Sequence, residues 1–427
     1  MPRQMRLGVF AVGTGNHSAG WRMPGADRSN QDPAVLLRIA AEAERAKYDL
    51  FFIADGLHAA AGDHPSFLAR IEPVALVSAL SQTTRRIGLG ASISTTYSQP
   101  FTVARQFASV DHLSGGRAGI NIITGANLKA GANYGRAHPS HAERYAIAEE
   151  FVDVLTKLWD SWEDGALIAD AATGRYVDPA RLHAIDHVGA HFQVQGPLNA
   201  ARCPQGRPVI IQAGGSAAGQ ALAARTADVV FAVAHDLDEA RAEYAGFKRQ
   251  VAGFGRDPSQ VHLLPGVMPI LGRDPGAARA LLDELQSFVG DTDALTLVSV
   301  RLGHDISGYP LDGPVPELGE TQGGHAMSKT LLALARREGM RLRDLYNLIA
   351  AARGHWVLCG TPVMVADALE EWFTTGAADG FIVLPPWFPA AFVQFNEEVL
   401  PLLRQRGLFR EDYAGTTLRD HLGLVRP

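Results

Sequence analysis

The stretch "PVIIQAGGSAAGQALAARTADVVF", Pro208 to Phe231, groups residue types suited to holding an anion. Its apolar runs Val209–Ile211 and Val229–Val233 read as strands, with a helix over Ala217–Arg225 between them. The strand-to-helix turn is then Gly214-Gly215-Ser216. Glycine lets a backbone approach closely, and a helix N-terminus offers unsatisfied N–H groups to negative charge. A phosphate cradle and plain tight packing of helix on sheet both account for this turn.

Other residues are placed for chemistry. Asp55 ends the apolar run of "FFIADG", where a carboxylate either faces a ligand or caps the next segment. In "GLGASISTTY" the strand alternation points Ser92 and Ser94 the same way, toward a polar ring edge or into a self-satisfied turn. His141 and Tyr145 are four apart and share a helix face, with Arg144 beside them. That pair suits a phosphate or a flavin edge, and equally a surface histidine beside an amphipathic tyrosine. Asp111, His112 and Arg117 precede a strand and read as structural, while Asn121 lies within that strand and Thr124 at its far end. The chain has no HExxH, no Cys/His cluster, no GxSxG elbow and no Walker motif. Neither a metal site nor a protein nucleophile is expected, so the chemistry falls to a bound cofactor.

Elements that position these residues alternate along the chain. Strands are predicted over Leu7–Val12, Leu50–Asp55, Ile87–Ser94, Ala118–Thr124, Pro208–Gly214, Asp228–Val233, Val261–Leu271 and Gly380–Pro385. Helical patterns follow most of them, several opening with proline. Eight such units predict a (β/α)8 TIM barrel, a single domain over 1–427. A doubly wound sheet is the alternative, but no GxGxxG follows the first strand. Two insertions, about 161–207 and 290–354, break the rhythm and are expected at the C-terminal face of the barrel. Net charge is −6 with 20% charged and 47% hydrophobic residues, which gives no reason to expect nucleic acid or a membrane as partner. Cys203 and Cys359 are far apart and the N-terminus lacks a signal-peptide pattern, so a cytoplasmic protein is expected.

Taken in order, "FFIADG", "IGLGASISTTYSQPFTVARQFASVDHLSGGRAGINIITGAN", "ERYAIAEEFVDVLTKLWDSWEDGA", "AGGSAAG", "ISGYPLDGPVPE" and "GTPVMVADALEEWFTTGAADGFIVLPP" form a specific set. The chain resembles the two-component flavin-dependent monooxygenases of the nitrilotriacetate monooxygenase component A type, within the bacterial luciferase-like superfamily. Pristinamycin synthase and dibenzothiophene-sulfone monooxygenase components belong to that group. The resemblance implies a barrel that binds reduced FMN non-covalently, supplied by a separate NAD(P)H:flavin reductase. O2 then forms a flavin C(4a)-(hydro)peroxide that oxygenates a small-molecule substrate. It also implies a homo-oligomer, dimer or tetramer.

Carried over by the resemblance, the flavin-binding positions are Asp55, Ser92, His141, Tyr145 and the turn residues Gly215 and Ser216. Where the family often has threonine this chain has Ser92, and where it often has "AGAS" or "AGSS" this chain has "AGGS". A "GHH" frequent after the first strand is here Gly15-Asn16-His17, which leaves His17 as the one catalytic candidate. His17, Trp21, Phe67, Tyr97, Trp387 and Phe388 are candidates for a partly apolar pocket. The resemblance of "ISGYPLDGPVPE" implies that the segment Gly303–Lys329 covers the flavin as a lid, with a surface or subunit-contact loop as the alternative. Two other functions fit the same scaffold: a hydride-transfer oxidoreductase using a deazaflavin or a flavin, and a non-catalytic flavin-binding protein.

Overall fold

Continuous apolar runs become strands buried on both faces. A computed structural model describes residues 3–427 except 61, 62, 64, 126, 291–294, 296, 297, 300, 301 and 319–324. The strands, in chain order, are β1 (Arg6–Phe10), β2 (Leu50–Ile53), β3 (Gly88–Ser94), β4 (Ala118–Ile123), β5 (Leu167–Asp170), β6 (Arg175–Val177), β7 (His187–Val188), β8 (Gln193–Val194), β9 (Val209–Gln212), β10 (Val229–Ala232), β11 (His262–Leu271), β12 (Trp356–Gly360) and β13 (Gly380–Val383). Eight of them pair in parallel in the order β10-β9-β4-β3-β2-β1-β13-β11, and β10 pairs with β11 to close the circle. This is the (β/α)8 barrel expected from the alternation, and β11 and β13 are its seventh and eighth strands.

The helices cover the outside. They begin with α1 (Pro33–Arg45), α2 (Pro65–Leu68), α3 (Pro73–Thr83), α4 (Pro100–Ser114), α5 (His141–Asp160), α6 (Ala217–Thr226), α7 (Leu237–Gly253) and α8 (Pro275–Ser287). Proline in the first turn starts α1, α3, α4 and α8, where its missing N–H costs nothing. The α4 end meets Gly115 in the left-handed region at φ 71°, as the Gly-Gly stop predicts. Arg117 is buried and donates to the carbonyls of Ser81, Thr84, Ile87 and Ser114, a structural role.

One device recurs at the N-terminal ends of the strands. Asp49, Asp228 and Asp379 each stand immediately before a strand, and each carboxylate accepts the backbone N–H of the neighbouring strand. The pairs are Leu7 N–H to Asp49 at 2.7 Å, Ile210 N–H to Asp228 at 2.9 Å and Leu263 N–H to Asp379 at 2.9 Å. Each charge is answered by a cation from outside the sheet: Arg410 on Asp49, Arg419 on Asp228 at 3.0 Å, and Lys248 on Asp379 at 3.0 Å. Asp111 does a related job, accepting from Ala118 N–H at 3.1 Å and from the Gln205 amide at 2.6 Å.

Three features differ from expectation. The insertion 161–207 lies at the opposite end of the barrel from the one expected. It leaves the C-terminal end of α5, which runs back from the mouth, so Arg202 and Arg207 pair with Asp160 and Gln205 joins Asp111 at the N-terminal end. Its hairpins β5–β6 and β7–β8 add to this outer surface, with Phe192 edge-on to Phe151 of α5. Next, the helical pattern that follows the last strand is broken into two helices, Ala390–Glu398 and Leu400–Gln405. Finally, β12 and the helix Pro362–Thr374 escape the periodicity reading; β12 pairs with the second half of β11, outside the barrel.

The other insertion does reach the C-terminal face. Its helices α9 (His325–Arg337) and α10 (Leu342–Ala352) share a small core of Leu331, Leu342, Leu345 and Ile349, which Ile306 joins. Ser18 N–H donates to the Ala350 carbonyl at 2.9 Å, tying α10 to the loop after β1. Of the segment Gly303–Lys329, residues 319–324 lie outside the described residues.

Burial raises the Asp111 carboxyl from 3.8 to about 6, against the opposing pull of the hydrogen bonds from Ala118 and Gln205. The folded chain therefore holds this proton more tightly than the unfolded one between those values. Stability from this group rises as pH falls through 6 and is lost as pH rises. An Asp111→Asn variant cannot titrate there, so the parent should gain about 1 kcal/mol on it between pH 7 and pH 5 in urea unfolding. A pH-independent difference would show that Asp111 does not titrate in this window.

Candidate functional site

The turn between β9 and α6 is built around missing side chains. Ser216 caps α6, its Oγ accepting Gly219 N–H at 3.1 Å. A Cβ on Gly219 would stand 2.9 Å from the Gly214 carbonyl and 2.9 Å from the Tyr145 hydroxyl. Gly214 is equally confined, and its N–H donates to Gln212 Oε1 at 2.9 Å. Among the described residues no hydrogen bond reaches the backbone N–H of Gly215, Ser216, Ala217 or Ala218. Gly215 is exposed at the tip. The turn thus offers a row of uncovered donors at the positive end of a helix.

Tyr145 completes that wall. Its hydroxyl accepts from Ser216 Oγ at 3.2 Å, and its ring lies 4.8 Å from the half-buried His141 ring one helical turn earlier. The structure therefore links His141 to Tyr145 and Tyr145 to Ser216, with Gly215 next to Ser216 in the turn.

Ser92 and Asp55 lie further round the mouth. Ser92 Oγ donates to the Ile53 carbonyl at 2.9 Å and accepts from Asn121 Nδ2 at 2.7 Å. Among the described residues, Asn121 Oδ1 and Ser94 Oγ are buried at this end of the barrel with no hydrogen-bond partner. Asp55 is half-buried beside Arg70, 3.8 Å away. Thr96 Oγ1 donates to the Thr124 carbonyl at 2.7 Å, joining the ends of β3 and β4.

Other mouth residues are joined by contacts that the sequence does not show. The Tyr97 hydroxyl meets His138 Nδ1 at 2.6 Å, and His138 Nε2 faces Arg144 Nη1, which also donates to the Gly125 carbonyl at 2.6 Å. Arginine only donates, so Nε2 must accept; the ring proton then sits on Nδ1 and is donated to Tyr97. Burial first, then the Arg144 charge, hold His138 below the ordinary imidazole range. Tyr97 stacks on Tyr134, with centroids 4.5 Å apart, and Arg136 lies over its ring at 5.1 Å. Phe10, Phe52 and Phe231 form the top layer of the barrel interior. The His355 ring stacks on Phe231 at 4.7 Å in space that a Cβ on Gly266 would fill, and Arg353 lies over Phe10.

The pocket candidates separate. Tyr97 lines the mouth and Trp21 is half-buried. Phe388 and Trp387 are packed in the core, and the Phe67 side chain lies outside the described residues. His17 is fully buried in the loop after β1, its Nδ1 accepting Ala19 N–H at 3.0 Å. Burial pulls its pKa down to about 3, opposed by Gln286, so the ring is neutral. This placement gives His17 the role of locking its loop. A cleft of about 630 Å³ lies at the N-terminal end, between Arg6, Lys248, His262 and Asp379. It is remote from the mouth, and its Lys248 and Asp379 belong to the strand-end pairs described above. Among the described residues no three His, Cys, Asp or Glu side chains are grouped to hold a metal, and no helix is long and apolar enough to cross a membrane.

Comparison with known proteins follows the same lines. Residues 5–379 match the luciferase-like monooxygenase family model. N-acetyl-S-(2-succino)cysteine monooxygenase of Bacillus subtilis (strain 168) is 45% identical, the match covering 100% of this chain and 98% of that protein. Nitrilotriacetate monooxygenase component A of Aminobacter aminovorans is 42% identical over 100% and 97%. A riboflavin lyase solved with modified FMN and riboflavin superposes with a TM-score of 0.89 at 31% identity, over 99% of this chain and 96% of that one.

Ser216→Ala should weaken FMN binding by about 1–3 kcal/mol, since the hydroxyl that caps α6 and orients Tyr145 is lost. Titration followed by quenching of flavin fluorescence measures this. Unchanged affinity in the folded variant would remove the turn from the site.

Proposed function

The chain belongs to the luciferase-like monooxygenase family and is a flavin-dependent monooxygenase, and from that premise we propose that it takes reduced FMN from a separate NAD(P)H:flavin reductase and oxygenates a small organic substrate at the C-terminal mouth of the barrel. The observation that carries the binding mode is the α6 turn, with its uncovered N–H groups beside Tyr145. A relative whose name marks it as component A supports a partner component on another chain. We further place the protein in the cytoplasm, in keeping with its two free cysteines, and assign it a dimer or tetramer.

The residues present fit FMN held without a covalent bond. The phosphate would take the N–H groups of residues 215–218 and the Tyr145 hydroxyl, which Ser216 orients, with His141 flanking it. The orphaned Asn121 Oδ1 and Ser94 Oγ suit the polar edge of the ring system, with Ser92 orienting the Asn121 amide. Asp55 stands at the β2 side of the same mouth. Bound and reduced, the flavin supplies two electrons that, with O2 and two protons, place one oxygen atom in the substrate and the other in water. His355 and Arg353, at the end of the α9–α10 insertion, cover the aromatic layer and keep water from it. The segment 303–318 extends that cover as a lid.

The purified protein with NADH alone should oxidise nothing. Adding a flavin reductase and FMN should start substrate-dependent O2 uptake, with one labelled oxygen atom from 18O2 in the product. Substrate-dependent NADH oxidation without the reductase would contradict a two-component enzyme.

Shortening residues 308–318 should leave FMN affinity within about twofold and raise the hydrogen peroxide released per product, because water then reaches the reacting centre. An unchanged ratio in a folded, FMN-binding variant would rule out the lid.

A further inference from the structure

The mouth carries two arginines that no carboxylate neutralises. Among the described residues, neither Arg136 nor Arg144 has an ion-pair partner. Arg144 is 3% exposed, and its recorded hydrogen bonds are to the Gly125 carbonyl and the neutral His138, both through Nη1; its Nε has no partner. Arg136 is exposed, donates to the Thr96 carbonyl and lies over the Tyr97 ring. A buried cation without a counter-charge is costly to keep, and the cost falls when the working complex contains an anion there.

The cofactor phosphate is not that anion. Tyr145 reaches Ser216 on the β9 side of the mouth, whereas the neighbouring Arg144 points to Gly125 at the end of β4. Arg136 lies one strand further away, over the loop after β3. The nearby acid, Asp55, already faces Arg70 at 3.8 Å. Tyr97 links the two cations: Arg136 lies over its ring, and its hydroxyl reaches Arg144 through the His138 ring. His138 fills its acceptor side, so its own proton is left to donate outward.

We propose that Arg136, Arg144 and the Tyr97 hydroxyl form a carboxylate-binding subsite, so that the substrate of this enzyme is a small carboxylic acid held by its carboxylate on the β3–β4 side of the mouth. This rests on the mouth being the active site. The exposed Arg136 offers its guanidinium N–H donors to the carboxylate, the Tyr97 hydroxyl adds a donor from a different direction, and the buried Arg144 contributes its positive charge from behind the His138 ring. The stacked Tyr97–Tyr134 pair gives the apolar part of the substrate a flat wall.

The test is a binding titration with N-acetyl-S-(2-succino)cysteine and with its trimethyl ester, into protein carrying oxidised FMN. It needs neither reductase nor O2, so its outcome is separate from whether the protein oxygenates anything. The acid should bind at least about tenfold more tightly than the ester. Arg136→Gln and Arg144→Gln should each weaken the acid about fivefold or more, leave the ester unchanged and keep FMN affinity within about twofold. Arg144→Lys, which keeps the charge, should recover part of the loss. If Arg144→Gln does not fold, the exposed Arg136→Gln decides alone. Equal binding of acid and ester, absence of binding by both, or a loss of FMN affinity with acid binding intact would each overturn the proposal.

Discussion

A carboxylate one residue before a strand, accepting the first free N–H of the strand beside it, sets the geometry on which everything else rests. At Asp49, Asp228 and Asp379 the same pair of bonds recurs: the aspartate N–H donates to the neighbour's carbonyl and its side chain accepts from the neighbour's N–H. Parallel strands that end their pairing leave such groups without partners, and these lie at the buried floor of the barrel. A carboxylate there satisfies the donor and fixes the register of β1 with β2, β9 with β10, and β11 with β13. It also imports a charge, which Arg410, Arg419 and Lys248 compensate. Removing one partner of such a pair leaves a lone buried charge, at about 3–5 kcal/mol. The C-terminal tail supplies two of the three cations, so it is part of the barrel floor.

Firm anchoring at one end frees the other. At the mouth, polar groups are not consumed by the sheet. Ser94, Asn121, the α6 N-terminus and two arginines keep unused hydrogen-bonding capacity. Cross-links there run between loops and helix ends, as from Tyr97 through His138 to Arg144, or from Ser216 to Tyr145. Each holds a side chain at a set angle without filling the space in front of it. Pre-positioned, unsatisfied polar groups above a rigid scaffold are what a binding site requires.

Barrel and helices were legible because a strand buried on both faces reads as an unbroken apolar run, and because proline marks helix starts. The strand β12 was not, since "WVLCG" is short, half-buried and lies outside the closed circle. The helix after it carries a signal that goes unread, Thr361 as cap followed by Pro362. So do the strand-end aspartates: "YDLFF", "ADVVF" and "ADGFI" each place Asp directly before an apolar run. In the site, spacing alone joined His141 to Tyr145, because one helix carries both. It could not join Tyr97, in the loop after β3, to His138 and Arg144 at the start of α5, and the insertion at 161–207 was placed at the wrong end of the barrel. The side on which an insertion emerges depends on whether it interrupts a strand-to-helix or a helix-to-strand connection, and 161–207 follows a helix, which puts it at the N-terminal end.

Tight packing and anion binding at the Gly214-Gly215-Ser216 turn first look like rival explanations of the same glycines. The geometry makes them one. Without Cβ atoms at Gly214 and Gly219, the first turn of α6 closes against the chain leaving β9 and against the Tyr145 hydroxyl. That closure directs Ser216 Oγ back to Gly219 N–H, satisfying one of the helix's four free donors and leaving those ahead of it uncovered. A larger residue at either position would push the helix away and remove the wall that Tyr145 provides. Gly215 stands between them, exposed at the tip of the turn, where no side chain of its own separates solvent from the uncovered N–H groups.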